Sequence, residues 1–171
     1  FVTSGDFQTR GLDTFLSSAE QIAQVRPDVN FLIVGSKCLP DWAAAHPLTT
    51  AGRVHYRPKS GKPELWLAAL DIFLYAARFE AFGMVISEAQ ALGIPVLTSR
   101  RVGASECLPS NYAPWLIEKP DSDEFAANVL KLLADKSARR KLISAGIEHV
   151  RAFDQHHYVR ETIATIMNQK R

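Results

Sequence analysis

The chain has 171 residues, of which 47% are hydrophobic and 22% are charged, and its formal net charge is +2. This length and balance fit one globular domain with a real core, and they exclude a disordered chain. A charge of +2 gives no support for a nucleic-acid partner. Two cysteines are too few for a disulfide scaffold, so we expect reduced thiols and a cytoplasmic protein.

Short apolar runs alternate with helical patterns along the chain. Strands are predicted at 1–3, 30–35, 53–58, 71–77 and 94–99, with an edge strand at 113–118. Helices are predicted at 11–25, 40–47, 63–70, 83–92, 122–135, 137–153 and 156–169. Ser122, followed by acids, is the expected cap of the helix at 122–135. The opening residues FVTSGDF lack an initiator methionine, so we expect a segment cut from a longer polypeptide.

The predicted strands are apolar on both faces, which is typical of a parallel sheet covered by helices on both sides. We therefore expect an α/β fold, a Rossmann-like doubly wound parallel sheet with a helical C-terminal tail. Ligands of such sheets bind at the carboxyl ends of the strands, near helix N-termini. The loops of interest follow Thr3, Val34, Tyr56, Ala76 and Thr98.

The stretch RFEAFGMVISE places two acids around one apolar run. Glu80 precedes the helix predicted at 83–92, and Glu88 lies inside it. Apolar residues occur around nearly the whole circumference of this helix, which predicts that it is buried and that Glu88 is buried with it. A buried carboxylate needs hydrogen-bond donors. An internal arginine or amide and the paired hydroxyls of a ribose are both open as partners.

The start of the same helix is a candidate phosphate site. Phe82, Gly83, Met84 and Val85 would present main-chain N–H groups that no carbonyl of the helix can accept. These groups and the helix dipole favour an anion. Gly83 would let the ligand approach the backbone closely. The pattern indicates a diphosphate held on a helix N-terminus, with one acid on each side.

The segment E-AFGMVIS-E-AQALGIPVLTS resembles the E-x7-E segment of retaining GT-B glycosyltransferases, the glycosyl transferases of group 1. Three upstream segments stand where that family has its phosphate loop, second strand and base-binding loop. They are SGDFQTRGLD, FLIVGSK and RVHYRPKSGKPEL. The nearest likeness is to lipopolysaccharide-core glucosyltransferases. The resemblance covers essentially the whole chain. It implies that residues 1–171 form one donor-binding domain, the C-terminal half of a GT-B fold, with the acceptor domain outside this chain.

The resemblance also implies roles for the two acids and for the loop between them. Glu88 would bind the donor ribose, and Glu80 would contact hydroxyls of the transferred sugar. The amides of Phe82, Gly83 and Met84 would hold the diphosphate. Arg10, followed by Gly11, stands where the family has a Lys-Gly pair, and would supply the cation.

Other positions follow from the same resemblance. Thr9 and Asp6 stand where the family usually has a second cation. Lys37 would lie near the donor, and the loop at Arg57 and Pro58 would hold the base. The turn 103–106 would lie beside the donor. His residues and acids are not clustered at ligand spacing, so we expect no metal, and the resemblance implies no cofactor.

The implied reaction is transfer of a hexose from a nucleotide diphosphate sugar, UDP-linked by resemblance, to a glycan or lipid-linked acceptor. Lipid-linked acceptors leave open a peripheral association of the full-length protein with the inner face of the cytoplasmic membrane. We expect the isolated chain to bind donor and to transfer nothing.

A non-catalytic nucleotide-binding or interaction module derived from the same fold is the alternative, since the second cation is missing.

Overall fold

The computed structural model describes residues 6–35, 37–58 and 62–152. The strand predicted at 1–3 and the helix predicted at 156–169 lie outside these ranges. The helices are α1 Leu12–Val25, α2 Asp41–Ala44, α3 Pro47–Thr50, α4 Pro63–Leu67, α5 Met84–Ala91, α6 Ser122–Ala134 and α7 Lys136–Ala152. The strands are β1 Phe31–Gly35, β2 Val54–Pro58, β3 Phe73–Leu74 and β4 Val96–Leu97. Two short 3-10 helices cover Gly103–Cys107 and Ser110–Trp115.

The strands pair in parallel, as the sequence predicts. β1 lies beside β2 with Ile33 opposite Tyr56, and β3 lies beside β4 with Leu74 opposite Leu97. Both residues of β3 and both residues of β4 are buried. Helices pack against these strands, since α5 and α6 each contact β4, α1 packs on α6, and α5 packs on α7. The α/β prediction is confirmed, and the helices predicted within the described ranges are present, with α3 as an additional short one.

The edge strand predicted at 113–118 is wrong. Ser110–Trp115 is a 3-10 helix with Pro114 inside it, and only Ile117 pairs in a strand-like way, with Ser99. Proline has no N–H group for a strand ladder and its fixed φ suits a tight turn, which explains the difference.

The cap of α6 also differs from the prediction. Asp121, rather than Ser122, has extended backbone, and its Oδ1 accepts hydrogen bonds from the amides of Asp123 and Glu124 at 2.9 and 3.1 Å. Because the helix starts one residue earlier than a Ser122 cap would place it, Ser122 is the first helical residue and the Asp121 carboxylate takes the capping position.

Gly11 fixes where α1 begins relative to the sheet. Its φ is +72°, and a Cβ added there would lie 2.0 Å from the carbonyl oxygen of Ala76, just past the end of β3. The start of α1 therefore packs directly on the main chain at the carboxyl end of β3. This contact brings the loop before α1 beside the loop after β3.

None of the helices in the described ranges is both long enough and apolar enough to span a lipid bilayer.

We predict that Gly11→Ala destabilises the chain far more than Gly52→Ala. Gly52 has almost the same φ, +71°, but an added Cβ there would meet nothing within 4 Å. Gly52→Ala should therefore cost only the left-handed strain, about 1–2 kcal/mol of unfolding free energy. Gly11→Ala should cost more, because the Ala76 carbonyl must also move. Urea unfolding measures both, and equal losses would contradict the close packing.

We also predict that Asp121→Ala lowers the free energy of unfolding by about 1 kcal/mol, the usual value of a helix cap. Ser122→Ala serves as the matched control and should change the stability little. A larger loss for Ser122→Ala in the same urea titrations would restore serine as the cap.

Candidate functional site

The loop that follows β3 is fastened to the loop that precedes α1. The amide of Arg78 donates to the carbonyl of Thr9 at 2.9 Å, and its Nη1 donates to the carbonyl of Gln8 at 2.6 Å. Arg78 also forms an ion pair with Asp13 in the first turn of α1. Burial raises the pKa of Asp13, but the hydrogen bond and charge of Arg78, together with main-chain amide hydrogen bonds, outweigh burial and the pKa is lowered. The two loops therefore form one connected unit.

On its other side, the same loop is bonded to residues 101–104. The amide of Glu80 donates to Arg101 at 3.3 Å, that of Gly103 donates to Glu80 at 3.0 Å, and that of Ala104 donates to Phe82 at 2.7 Å. A Cβ on Gly103 would lie 2.0 Å from the carbonyl oxygen of Ala81, so only glycine fits at this crossing. The turn at 103–106 thus holds the main chain of the loop in place.

The loop ends at an open helix N-terminus. Gly83 caps α5 in the left-handed conformation, with φ +95° and no side-chain hydrogen bond to the helix amides. No acceptor within the described ranges bonds to the amides of Phe82, Gly83, Met84 or Val85. Three apolar residues around this end are exposed to solvent, with exposed fractions of 68% for Phe79, 49% for Phe82 and 68% for Met84. These N–H groups are thus available to an anion from solution.

Gly83 itself is enclosed. A Cβ added there would lie 2.9 Å from Cγ1 of Val102 and 3.1 Å from Cγ of Glu80. Any larger residue would push Glu80 or residue 102 out of place.

Arg10 and Glu80, predicted separately from the sequence, lie in contact. Nη1 of Arg10 is 2.7 Å from Oε2 of Glu80 and also donates to the carbonyl of Phe79 at 2.8 Å. The two side chains are 21% and 18% exposed, so the pair is largely buried but still reached by solvent. Nη2 and Nε of Arg10 donate to no other residue in the described part of the chain, which leaves them available to a ligand.

Tyr75 is a member of the site that sequence reasoning missed. Its hydroxyl donates to Oε2 of Glu80 at 2.9 Å, and the residue is only 2% exposed. Burial raises the pKa of Tyr75, and the bond to Glu80 raises it further, so the phenol stays a hydrogen-bond donor. The only sign of this role in the sequence is that Tyr75 brings a hydroxyl group into the predicted strand DIFLYAA.

The expected burial of Glu88 is wrong. Glu88 is exposed, because α5 buries one face only, through Ile86, Ala89 and Gln90. The apolar side chains on its other side, Met84 among them, face solvent. The buried polar residue of the helix is Gln90, which is 1% exposed.

The exposure of Glu88 argues against one of the two partners considered for it. Its carboxylate forms no ion pair or side-chain hydrogen bond with any described residue, so an internal arginine is not its partner there. Glu88 follows Met84 by four residues and therefore lies on the same face of α5, one turn from the open N-terminus. It is placed to accept from a ligand that extends along that face.

Lys37 and Arg57 lie at the carboxyl ends of β1 and β2, and both are exposed. Nη1 of Arg57 donates to the carbonyl of Tyr56 at 2.9 Å, and its guanidinium lies 5.8 Å from the ring centre of Trp66. Neither cation bonds to Arg10, Glu80 or Glu88. Residues 59–61 of the predicted base-binding loop lie outside the described ranges.

Within the described ranges, His, Cys, Asp and Glu side chains form no group of three or more that could hold a metal ion. The site consists of an amide-lined helix terminus, one exposed acid along the helix, and one cation–acid pair beside it. It can bind an anion that is attached to hydroxyl-bearing groups.

Comparison with known proteins identifies the family of the chain. The model of the family Glycosyl transferases group 1 matches residues 1–149. A GDP-mannose-dependent monoacylated alpha-(1-6)-phosphatidylinositol monomannoside mannosyltransferase of Corynebacterium glutamicum is 31% identical over 84% of this chain and 40% of its own length. The lipopolysaccharide core biosynthesis glycosyltransferase LpsE of Rhizobium meliloti is 30% identical over 59% of this chain and 30% of its own.

Among solved structures, HepE of Anabaena in complex with UDP superposes with a TM-score of 0.77 and 19% identity, over 98% of this chain and 47% of that one. The chain thus spans less than half the length of these proteins. At this identity the superposition shows the fold alone, whereas the family match extends over most of the sequence. The chain belongs to the glycosyl transferases of group 1 and has the α/β fold of the C-terminal domain of GT-B enzymes.

Proposed function

We propose that this chain is the donor-binding domain of a retaining hexosyltransferase that uses a nucleotide diphosphate sugar. The observation that carries the proposal is the open N-terminus of α5, with Glu88 one turn along its exposed face and the Arg10–Glu80 pair beside it. An anion-binding terminus between two acids suits a ligand with a diphosphate in the middle and hydroxyls at both ends.

The diphosphate would lie on the amides of Phe82, Gly83 and Met84. When the bond between the anomeric carbon and the diphosphate oxygen breaks, negative charge grows on the leaving group. Preorganised N–H groups and the helix dipole stabilise that charge most in the transition state, which is what accelerates the step. Arg10, whose Nη2 and Nε bond to no other described residue, would add a cation, so the chemistry would need no metal from this domain.

The two acids would hold the sugars at either end. Glu88, one turn into α5, accepts from the ribose hydroxyls, and Glu80 accepts from a hydroxyl of the hexose. Lys37 and Arg57, at the ends of the neighbouring strands, lie on the side of the base. HepE was solved with UDP, whereas the Corynebacterium relative is named for GDP-mannose. We propose UDP as the nucleotide of the donor, and nucleotide binding measures this.

The acceptor would be a glycan or a lipid-linked molecule. The names of the relatives support this, since one acts on a phosphatidylinositol mannoside and another in lipopolysaccharide core biosynthesis. Acceptor binding would use parts of the full-length protein outside this chain, so the purified chain should transfer no sugar. Two exposed free thiols, Cys38 and Cys107, agree with a cytoplasmic enzyme.

Nucleotide titration by calorimetry tests the donor site directly. We predict that the chain binds UDP more tightly than GDP or ADP, and that Glu88→Ala weakens UDP binding about tenfold or more, since a hydrogen bond to a carboxylate contributes about 1.5–3 kcal/mol. Glu148→Ala removes another exposed acid, from α7, and should leave binding unchanged. A chain that binds none of the three nucleotides, or a Glu88→Ala variant as good as the parent, would overturn the proposal.

A non-catalytic nucleotide-binding module is the second candidate. Two observations favour it: Arg10 is already paired with Glu80, and Asp6 accepts from the amide of Thr9 at 2.8 Å where the family usually has a cation. Such a module would bind UDP and UDP-glucose alike. A clear preference for UDP-glucose would favour the transferase.

A further inference from the structure

The two carboxylate oxygens of Glu80 have different surroundings. Oε2 accepts from Nη1 of Arg10 at 2.7 Å and from the hydroxyl of Tyr75 at 2.9 Å. No donor belonging to the described residues bonds to Oε1. With the side chain 18% exposed, Oε2 is held by the protein while Oε1 is left to accept from something else.

Tyr75 is a rigid support. Its amide donates to Leu97 at 2.9 Å, and its carbonyl accepts from Oγ1 of Thr98 at 3.1 Å, so its main chain is fixed by the strand alongside. Its ring stacks on Phe73 with centroids 5.7 Å apart. Because the phenol is buried and its pKa raised, the hydroxyl keeps its proton over the working pH range.

Arg10 supports the same carboxylate from the opposite loop. Nη1 bonds both to Oε2 of Glu80 and to the carbonyl of Phe79, so it fixes the side chain and the main chain one residue before it. The position of Arg10 is itself set by Gly11, which packs on Ala76.

We propose that Tyr75 is a positioning residue which, together with Arg10, holds Oε2 of Glu80 so that Oε1 faces the transferred hexose. The proposal rests on the donor function given above. Tyr75 would not touch the donor. It would act through Glu80, by removing the need to order that side chain when the sugar arrives.

The consequence is a selective effect on the sugar. Loss of the tyrosine hydroxyl should leave the diphosphate and ribose contacts intact, because those use the α5 terminus and Glu88. It should weaken only the extra affinity that the hexose provides, by about three- to tenfold. This is less than the full value of a hydrogen bond to a carboxylate, because Arg10 still holds Oε2.

The experiment compares Kd for UDP and for UDP-glucose by calorimetry in the parent chain, in Tyr75→Phe and in Tyr112→Phe. Tyr112 is a matched control, since it is also 2% exposed and its hydroxyl donates elsewhere, to the carbonyl of Leu142 at 3.2 Å. We expect Tyr75→Phe to lose preference for UDP-glucose with UDP affinity unchanged, and Tyr112→Phe to keep both. Equal weakening of both ligands by Tyr75→Phe would mean a merely structural role and would overturn the inference.

Glu80→Gln provides a second, nearly isosteric test that leaves Tyr75 and Arg10 in place. Both donors would select the amide oxygen of the new side chain, which turns its NH2 group toward the hexose and should also abolish the preference. In that background Tyr75→Phe should have no further effect, because coupled residues are not additive. Additive losses would overturn the inference.

Failure of the two proposals is distinguishable. A parent chain that binds UDP and UDP-glucose equally contradicts the donor function and this inference together. A parent chain that prefers UDP-glucose, with the preference intact in Tyr75→Phe, contradicts this inference alone.

Discussion

The main chain at Gly11 passes so close to the end of β3 that a side chain of any size would strike the carbonyl of Ala76. The rest of the site depends on this contact. It sets the start of α1 against the sheet, and so brings Arg10 within reach of Glu80, seventy positions away in the sequence. The bonds from Arg78 to Gln8 and Thr9 also hold this pair of loops together. The Arg10–Glu80 ion pair at the carboxyl end of β3 therefore forms because the main chain packs closely at Gly11.

The second element of the site is a helix end left open to solvent. α5 has no side-chain cap, and its first amides are unpaired within the described part of the chain, so its stability comes from the face that packs on β4 and α7. That face contains Ile86 and Ala89. A helix held in this way can keep its polar terminus free, because tertiary packing rather than capping supports it. The bonds to residues 101–104 keep the approach to that terminus from shifting.

Much of this arrangement could be predicted from the sequence, and the failures have physical causes. Alternating apolar runs and helical periodicity gave the parallel α/β order, since burial on both faces leaves a plain signal. The apolar content of α5 did not reveal which face is covered, so the exposure of Glu88 was missed. Tyr75 was missed because a tyrosine in an apolar strand looks like any core residue. Its hydrogen bond to Glu80 becomes visible only in the folded structure.

Phe79, Phe82 and Met84 stand outward from a loop whose main chain is bonded on both sides. Their side chains take no part in holding that course, which is fixed by main-chain hydrogen bonds, by the guanidinium groups of Arg10 and Arg78, and by two glycines. Evolution can therefore exchange these three residues one at a time, and reshape what fits against the loop, while the scaffold beneath keeps its form.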